Sequence, residues 1–129
     1  MSKILNQTFK FLSFFLIFFV LVNFRVSYIS GNSMSPTLKN NTLIIVDKYL
    51  FKMFSIKKGD ILVLNHQKEE VIKRIAYLPG ERFEHEGKEI ELKKDEIYIL
   101  GDNSKESIDS RNYGPIKTNN IIGKIFLSF

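Results

Sequence analysis

The feature that most constrains this chain is an apolar run near its N-terminus, Phe11–Val22 (FLSFFLIFFVLV), in which Ser13 is the only polar residue. None of the 14 acidic residues in the 129-residue chain precedes Asp47. A helix needs about 20 residues to cross the hydrocarbon core of a bilayer. Leu5–Phe24 reaches this length, because polar and basic residues near the interface can extend toward water. The sequence therefore predicts a single membrane-spanning helix, which we place at about residues 9–29.

The residues around this run indicate an uncleaved anchor and its orientation. A cleavable signal peptide would need a small-x-small site, which Asn23–Tyr28 does not offer. A buried helix of a soluble protein is disfavoured, because a segment that is apolar on all sides needs lipid around it. Lys3 and Lys10 precede the run and only Arg25 follows it closely. The positive-inside tendency then predicts a cytoplasmic N-terminus, with the rest of the chain on the extracytoplasmic face of a cytoplasmic or organellar inner membrane. Residues 1–29 are thus the predicted membrane anchor.

Charge and composition exclude several classes of protein. The formal net charge of +5 divides into +3 for residues 1–29 and +2 for residues 30–129, so no nucleic-acid partner is expected for the nearly neutral body. The chain has no cysteine, which excludes disulfides, thiolate zinc sites and a catalytic thiol. Its two histidines, His66 and His85, lie far from the serine-rich segments, which disfavours a Ser-His-Asp triad and a His-based metal site. We expect no metal and no other cofactor.

Residues 30–129 show short runs rich in β-branched residues, separated by turn residues. The pattern predicts a mostly β fold, a small antiparallel barrel-like domain, with an exposed hairpin at Arg82–Leu92. The crowded apolar segment Asp47–Ile56 is either core or a lip that enters the bilayer beside the anchor. The predicted strands are Thr42–Val46, Asp60–Leu64, Val71–Ala76, Glu96–Leu100 and Ile121–Phe129.

Two polar residues in unusual surroundings are candidates for catalysis. Ser33 lies in Ser30–Leu38, directly after the membrane segment, where a tight turn can expose its hydroxyl, although most segments of this composition are only loops. Lys73 lies in the apolar strand Val71–Ala76 and shares a face with apolar residues on strict alternation. Burial there would lower the pKa of the amine, as a lysine base requires. On an edge strand the same lysine would instead point to solvent.

A third polar block, Gly101–Arg111, follows the predicted strand Glu96–Leu100. Its side chains can bond one another, since Asp109 and Arg111 can pair and Ser107 offers a hydroxyl. A solvated loop is the alternative interpretation. A calcium loop is disfavoured, because the acidic residues are too sparse.

In their order along the chain, these blocks resemble the type I signal peptidases, the membrane-anchored Ser-Lys proteases of bacteria and organelles. The matching blocks are Gly31-x-Ser33-Met34-x-Pro36-Thr37-Leu38, Gly59-Asp60-Ile61-Leu62-Val63, Lys73-Arg74-x-x-x-Leu78-Pro79-Gly80, and Gly101-Asp102-Asn103 followed by Ser107-x-Asp109-Ser110-Arg111-x-x-Gly114. Four blocks in the family's order behind an N-terminal membrane segment identify the chain as a member of this family.

The resemblance implies that Ser33 is the nucleophile and that neutral Lys73 is the general base. Ser107 would hydrogen-bond the Lys73 amine, and the backbone N–H of Ser33 would contribute to the oxyanion hole. Other matched residues would support the site (Gly31, Asp102, Asp109 and Arg111) or line the substrate groove (Met34 and Ile72). Some family members have a serine at the position of Gly31 whose hydroxyl joins the oxyanion hole, so here a second donor is either a backbone N–H or missing.

The family also implies the architecture and the substrates. Only about twenty residues separate Gly80 from Gly101, where larger members insert a second domain. Residues 30–129 are therefore predicted to form one minimal Ser-Lys peptidase domain, which we expect to be monomeric. Its substrates would be exported preproteins whose signal peptides bind as an added strand, with small residues at the −1 and −3 positions. Two alternatives are a dedicated conjugative pilin-processing Ser-Lys peptidase and an inactive membrane-tethered domain that binds signal peptides.

Overall fold

A computed structural model describes residues 2–129, which begin with a long apolar helix, α1 (Ser2–Asn23). Its large apolar side chains are 39–75% exposed, and the helix is long and apolar enough to cross a membrane. The hydroxyls of Thr8 and Ser13 donate to main-chain carbonyls within the helix, which satisfies them in an apolar setting.

The helix begins and ends earlier than the predicted bounds of about 9–29. Phe24–Tyr28 forms a strand, β1, which pairs with β2 (Leu43–Asp47) in antiparallel register. Ile29 is buried in the core of the β-rich part, so it cannot belong to a lipid-exposed helix. The helix thus ends at Asn23 because the following residues pair with a strand that is distant in the sequence. The division into an anchor and a peptidase domain stays a prediction.

The rest of the chain is mostly antiparallel sheet, as predicted. The remaining strands are β3 (Ile61–His66), β4 (Glu69–Tyr77), β5 (Arg82–His85), β6 (Lys88–Glu91), β7 (Glu96–Leu100), β8 (Ile116–Lys117) and β9 (Ile121–Ser128), with a short helix, α2 (Ser110–Tyr113). Seven strands form one sheet in the order β1-β2-β9-β3-β4-β7-β8. Within residues 2–129 the edge strands β1 and β8 do not pair, so the sheet is not a closed barrel.

The separate hairpin of β5 and β6 confirms the exposed hairpin that the sequence predicts. Its turn residues Glu86 and Gly87 both have positive φ, which suits the tight turn between twisted strands. Of the segment Asp47–Ile56, Phe51 is buried as a core residue, while Met53 and Phe54 are 78% and 72% exposed. The exposed large apolar side chains of this segment are therefore Tyr49, Met53 and Phe54, and their entry into a bilayer stays a hypothesis.

Two apolar clusters lie on opposite faces of β3, because successive side chains of a strand point to opposite sides. Val63 packs in the first cluster with Met34, the residue after Ser33. Leu62 and Leu64 pack in the second cluster with Ile75, which follows Lys73 by two positions on β4. Each candidate catalytic residue is therefore held by a different part of the core.

Candidate active site

Lys73 lies on an interior strand of the sheet. Its strand, β4, is flanked by β3 and β7, and Lys73 pairs with Leu62 of β3. The residue is only 4% exposed, so the alternative of a solvent-facing edge-strand lysine is wrong. Burial lowers the pKa of the Lys73 amine, and the negative charge of Asp109 opposes this effect in part.

Ser33 meets this lysine from a loop that follows β1. The Lys73 Nζ atom lies 3.0 Å from Ser33 Oγ and donates a hydrogen bond to it. The loop is fixed at both sides, since the Gly31 N–H donates to Asn40 Oδ1 at 3.0 Å and the Asn103 N–H donates to the Ser33 carbonyl at 2.9 Å. Gly31 has a φ of +90°, a conformation that glycine adopts without strain. The sequence thus folds into a turn that presents the Ser33 hydroxyl to a buried amine.

Asp109 organises the third polar block. It is fully buried, caps the N-terminus of α2, and pairs with Arg111 through Oδ1–Nε and Oδ2–Nη2 distances of 2.9 and 2.6 Å. The Gly101 N–H also donates to Oδ2 at 2.8 Å. Burial alone would raise the pKa of the carboxyl, but the hydrogen bonds from Arg111 and Gly101 outweigh it and hold the pKa at about 2. Asp109 is therefore a permanent negative charge near Lys73.

Ser107 differs from its predicted role. Its hydroxyl donates to Asp109 Oδ2 at 2.7 Å, and the expected bond to the Lys73 amine is not among the hydrogen bonds of the described residues. The physical reason is that a carboxylate two residues away is a strong, charged acceptor. Ser107 is thus a hydrogen-bond donor to Asp109, and the charge of Asp109 raises the pKa of the Lys73 amine.

Gly101 permits the close packing of the two loops. A Cβ atom at this position would clash with Ser107 Oγ, and it would lie 2.5 Å from Ser107 Cβ and 2.6 Å from the Ser33 carbonyl oxygen. Only a residue without a side chain fits between the nucleophile loop and the third block. Gly101 therefore sets the distance between them.

Asp102 supports the site from the other side of the loop. It accepts bonds from Arg74 Nε and Nη2 at 2.8 and 2.6 Å, and Arg74 Nη1 donates to the Gly59 carbonyl at 2.8 Å. The hydrogen bonds to Arg74, and a further one to Thr37, lower the pKa of Asp102. Because Arg74 follows Lys73 directly, this pair ties the lysine strand to the third block and to the nucleophile loop.

A groove of about 270 Å³ opens beside Ser33 and Lys73. The two predicted groove residues, Met34 and Ile72, both line it. Strand β1 contributes Arg25 and Ser27, which sequence reasoning missed because it placed these residues in the membrane helix. The other lining residues are Tyr28, Ile29, Ser30, Ile44, Val63, Glu70 and Val71.

Neither histidine lines the groove. His66 stacks on the ring of Tyr113 at a centroid distance of 4.0 Å, and His85 lies near the ring of Tyr98. Within residues 2–129, no group of three His, Asp or Glu side chains is placed to hold a metal ion.

Comparison with known proteins indicates the family of the chain. The family model of signal peptidase, peptidase S26, matches residues 4–93 and 82–129. The chain belongs to the signal peptidase family. The signal peptidase I of Bacillus caldolyticus is 30% identical to this family member, over 83% of this chain and 78% of the relative.

Mitochondrial proteins are similarly related to this signal peptidase family member. The mitochondrial inner membrane protease subunit 1 of Xenopus tropicalis is 35% identical, over 76% of this chain and 64% of that protein. Its namesake in Schizosaccharomyces pombe is 33% identical, over 79% of this chain and 71% of that protein. The family membership confirms the resemblance found in the four sequence blocks and supports a serine-type peptidase that associates with a membrane.

Three residues of this family member have site contacts that sequence reasoning did not assign. Arg74, Gly101 and Asn103 lie in the matching blocks, but the sequence alone assigns them no roles. Their contacts with Asp102, Ser107 and Ser33 depend on how distant loops meet. The sequence feature that indicates a role for them is their position next to Lys73 or Asp102.

Proposed function

We propose that this chain is a membrane-anchored serine endopeptidase that removes N-terminal signal peptides from exported preproteins. Ser33 is the nucleophile and Lys73 is its general base. The observation that carries the proposal is the 3.0 Å contact between Lys73 Nζ and Ser33 Oγ, made by a lysine that is almost completely buried. Membership in the signal peptidase family supports the same activity.

The chemistry follows from a serine hydroxyl beside a neutral amine. As Ser33 Oγ attacks the scissile carbonyl, its proton moves to Lys73 Nζ, and the carbonyl oxygen becomes an oxyanion. The Lys73 ammonium then gives the proton to the leaving amine, and the C–N bond breaks to leave an ester on Ser33. The neutral amine next takes a proton from water, whose oxygen attacks the ester. The ester C–O bond then breaks, and the Lys73 ammonium returns the proton to Ser33 Oγ. Arginine cannot replace the lysine, because a guanidinium does not deprotonate in proteins.

The oxyanion would be stabilised by backbone donors. The N–H of Ser33 is one donor, and a donor of this kind is worth about 3 kcal/mol of barrier. Gly31 has no hydroxyl to offer a second bond. Its left-handed conformation instead leaves the backbone of the loop free to approach the substrate closely.

The groove suits an extended peptide. In the described chain, β1 pairs with β2 alone, and β4 pairs with β7 only from Arg74 onward. Both strands thus have unpaired backbone groups, and both line the groove. A substrate segment would add as a strand beside β4, with small side chains at −1 and −3 in the groove that Met34 and Ile72 line. Larger substrate side chains at −1 and −3 would clash with the buried or half-buried residues that line the groove.

The helix α1 would hold the site near the bilayer. Its last residue, Asn23, accepts a hydrogen bond at 2.8 Å from the Lys48 N–H, which fixes the end of the helix to the sheet. Ser33 follows Asn23 by only ten residues. We propose a single-pass protein with its N-terminus in the cytoplasm and its catalytic part on the extracytoplasmic face of a cytoplasmic or organellar inner membrane.

The test is cleavage of a preprotein by the purified full chain in detergent, with the new N-terminus determined by mass spectrometry. We expect the wild-type chain to cleave after a small residue and Ser33→Ala to be inactive. Ser104→Ala is a matched control, because Ser104 is an exposed serine in the third block. Failure of the wild-type chain to cleave any of several preproteins would refute the function, and cleavage by Ser33→Ala would refute the nucleophile.

A further inference from the structure

An ion pair spans the groove at some distance from Ser33. Arg25 Nη1 and Nη2 lie 2.9 and 2.7 Å from the two carboxylate oxygens of Glu70, a two-pronged contact. Arg25 is on β1 and Glu70 is on β4, and three strands lie between these two in the sheet. The pair therefore joins strands that do not hydrogen-bond each other but line the same groove.

The two side chains of this ion pair can separate at little cost in free energy. The side chains are 36% and 48% exposed, and half-exposed ion pairs contribute little net free energy, so separating them costs little. Their hydrogen bonds raise the pKa of Arg25 and lower that of Glu70, so both groups are charged at neutral pH. Each of them can exchange its partner for a charged group on a peptide in the groove.

The position of the pair corresponds to a defined substrate residue. Glu70 precedes Lys73 by three residues on β4. At about 3.3 Å per residue, the two lie about 10 Å apart along the strand. A peptide that runs parallel to β4 with residue −1 beside Lys73 has residue −4 beside Glu70, and the side chains of these two residues then lie on the same face. Strands that flank an added strand are also about 10 Å apart, a gap that two long side chains can bridge.

We propose that Arg25 and Glu70 form a charge-balanced clasp over the substrate strand and determine which charge is accepted at position −4. This inference rests on the proposed peptidase function and adds a specificity element to it. In the intact clasp each charge is neutralised by the other, so acidic and basic residues at −4 are accepted alike. Removing one partner leaves the other charge free to select a substrate residue of opposite sign.

The test uses preproteins that differ only at position −4, with Glu, Gln or Lys there, and compares kcat/KM. We expect Glu70→Gln to favour the Glu substrate over the Lys substrate by about two- to fivefold, the range for half-exposed charge pairs. Arg25→Gln should show the reverse preference. Both preferences should decline in 1 M NaCl, because salt screens exposed charges. For the wild-type chain, the ratio of kcat/KM between the Glu and Lys substrates should stay near one.

Matched controls come from the hairpin, where Arg82 and Glu91 form an exposed pair at 2.9 Å on a different sheet. Arg82→Gln and Glu91→Gln should keep the wild-type ratio. Equal ratios in Arg25→Gln and Glu70→Gln would overturn the clasp, and a lowered melting temperature alone would make the pair a structural brace. Absence of cleavage by the wild-type chain would instead refute the proposed function.

A second measurement needs no variant. A photoreactive residue at position −4 of a preprotein, bound to the wild-type chain, should crosslink to 24–28 or 69–72. Crosslinking to other segments, or to these from a position after the scissile bond, would overturn the proposal.

Discussion

The Asp109 carboxylate is the buried charge around which the third polar block forms, so Asp109→Asn has a calculable effect on stability. Its pKa of about 2 is roughly two units below the ordinary value for aspartate. At about 1.4 kcal/mol per unit, the ionised carboxylate stabilises the fold by about 2.5 kcal/mol at neutral pH. Asparagine removes this charge and turns an amide donor toward the Gly101 N–H or the Ser107 hydroxyl. We expect the free energy of unfolding to fall by at least about 2.5 kcal/mol.

The sign of the pH dependence follows from the lowered pKa. The stabilisation by Asp109 is complete above about pH 5 and disappears as the pH falls through about 2. The assay is urea unfolding of the full chain in a nonionic detergent at pH 7, 4 and 2.5, followed by near-ultraviolet circular dichroism of its tyrosines. Asp95→Asn is the control, because Asp95 forms only an exposed pair with Lys117 at 3.7 Å. A difference between wild type and Asp109→Asn that stays constant across this range would refute the reasoning.

Three further predictions concern activity on a preprotein. The kcat/KM of the wild-type chain should fall about tenfold per pH unit below the lowered pKa of Lys73, because the ammonium cannot accept a proton, and a profile flat down to pH 5 would contradict this. Gly101→Ala should lower kcat about a hundredfold, since its Cβ would displace the Ser33 loop, whereas unchanged kcat would show that the loops can separate freely. Ser107→Ala should lower kcat/KM only about fivefold, because it removes one bond to Asp109 and none to Lys73, and complete inactivity would restore a direct role for Ser107.

The fold class could be predicted because it depends on local pattern, and so could the local surroundings of Ser33 and Lys73. Alternating apolar residues place Lys73 on a buried face of β4, and the composition of Ser30–Leu38 predicts an irregular loop at Ser33. The five predicted strands occur at nearly their predicted places for the same reason. The proximity of these two residues does not follow from local pattern, and the sequence indicates it only through the resemblance of the ordered blocks to the family.

The parts that could not be predicted depend on long-range pairing. Phe24–Tyr28 follows an apolar helix without a break, and only its register with Leu43–Asp47 makes it a strand. Because this strand is not predicted, the sequence also does not place Arg25 in the groove. The partner of Ser107 was also wrong, because the choice between an amine and a carboxylate as its acceptor depends on how the loop packs.

The central claim is that a buried, neutral Lys73 activates Ser33, and one comparison tests it most directly. The kcat/KM of Lys73→Ala on a preprotein, at a pH where the wild-type chain is fully active, is measured beside that of Lys88→Ala, whose lysine is exposed on the hairpin. General-base catalysis is worth about 10²–10⁴-fold, so Lys73→Ala should lose at least a hundredfold while Lys88→Ala keeps the wild-type rate. Cleavage by Lys73→Ala at the wild-type rate would contradict the account.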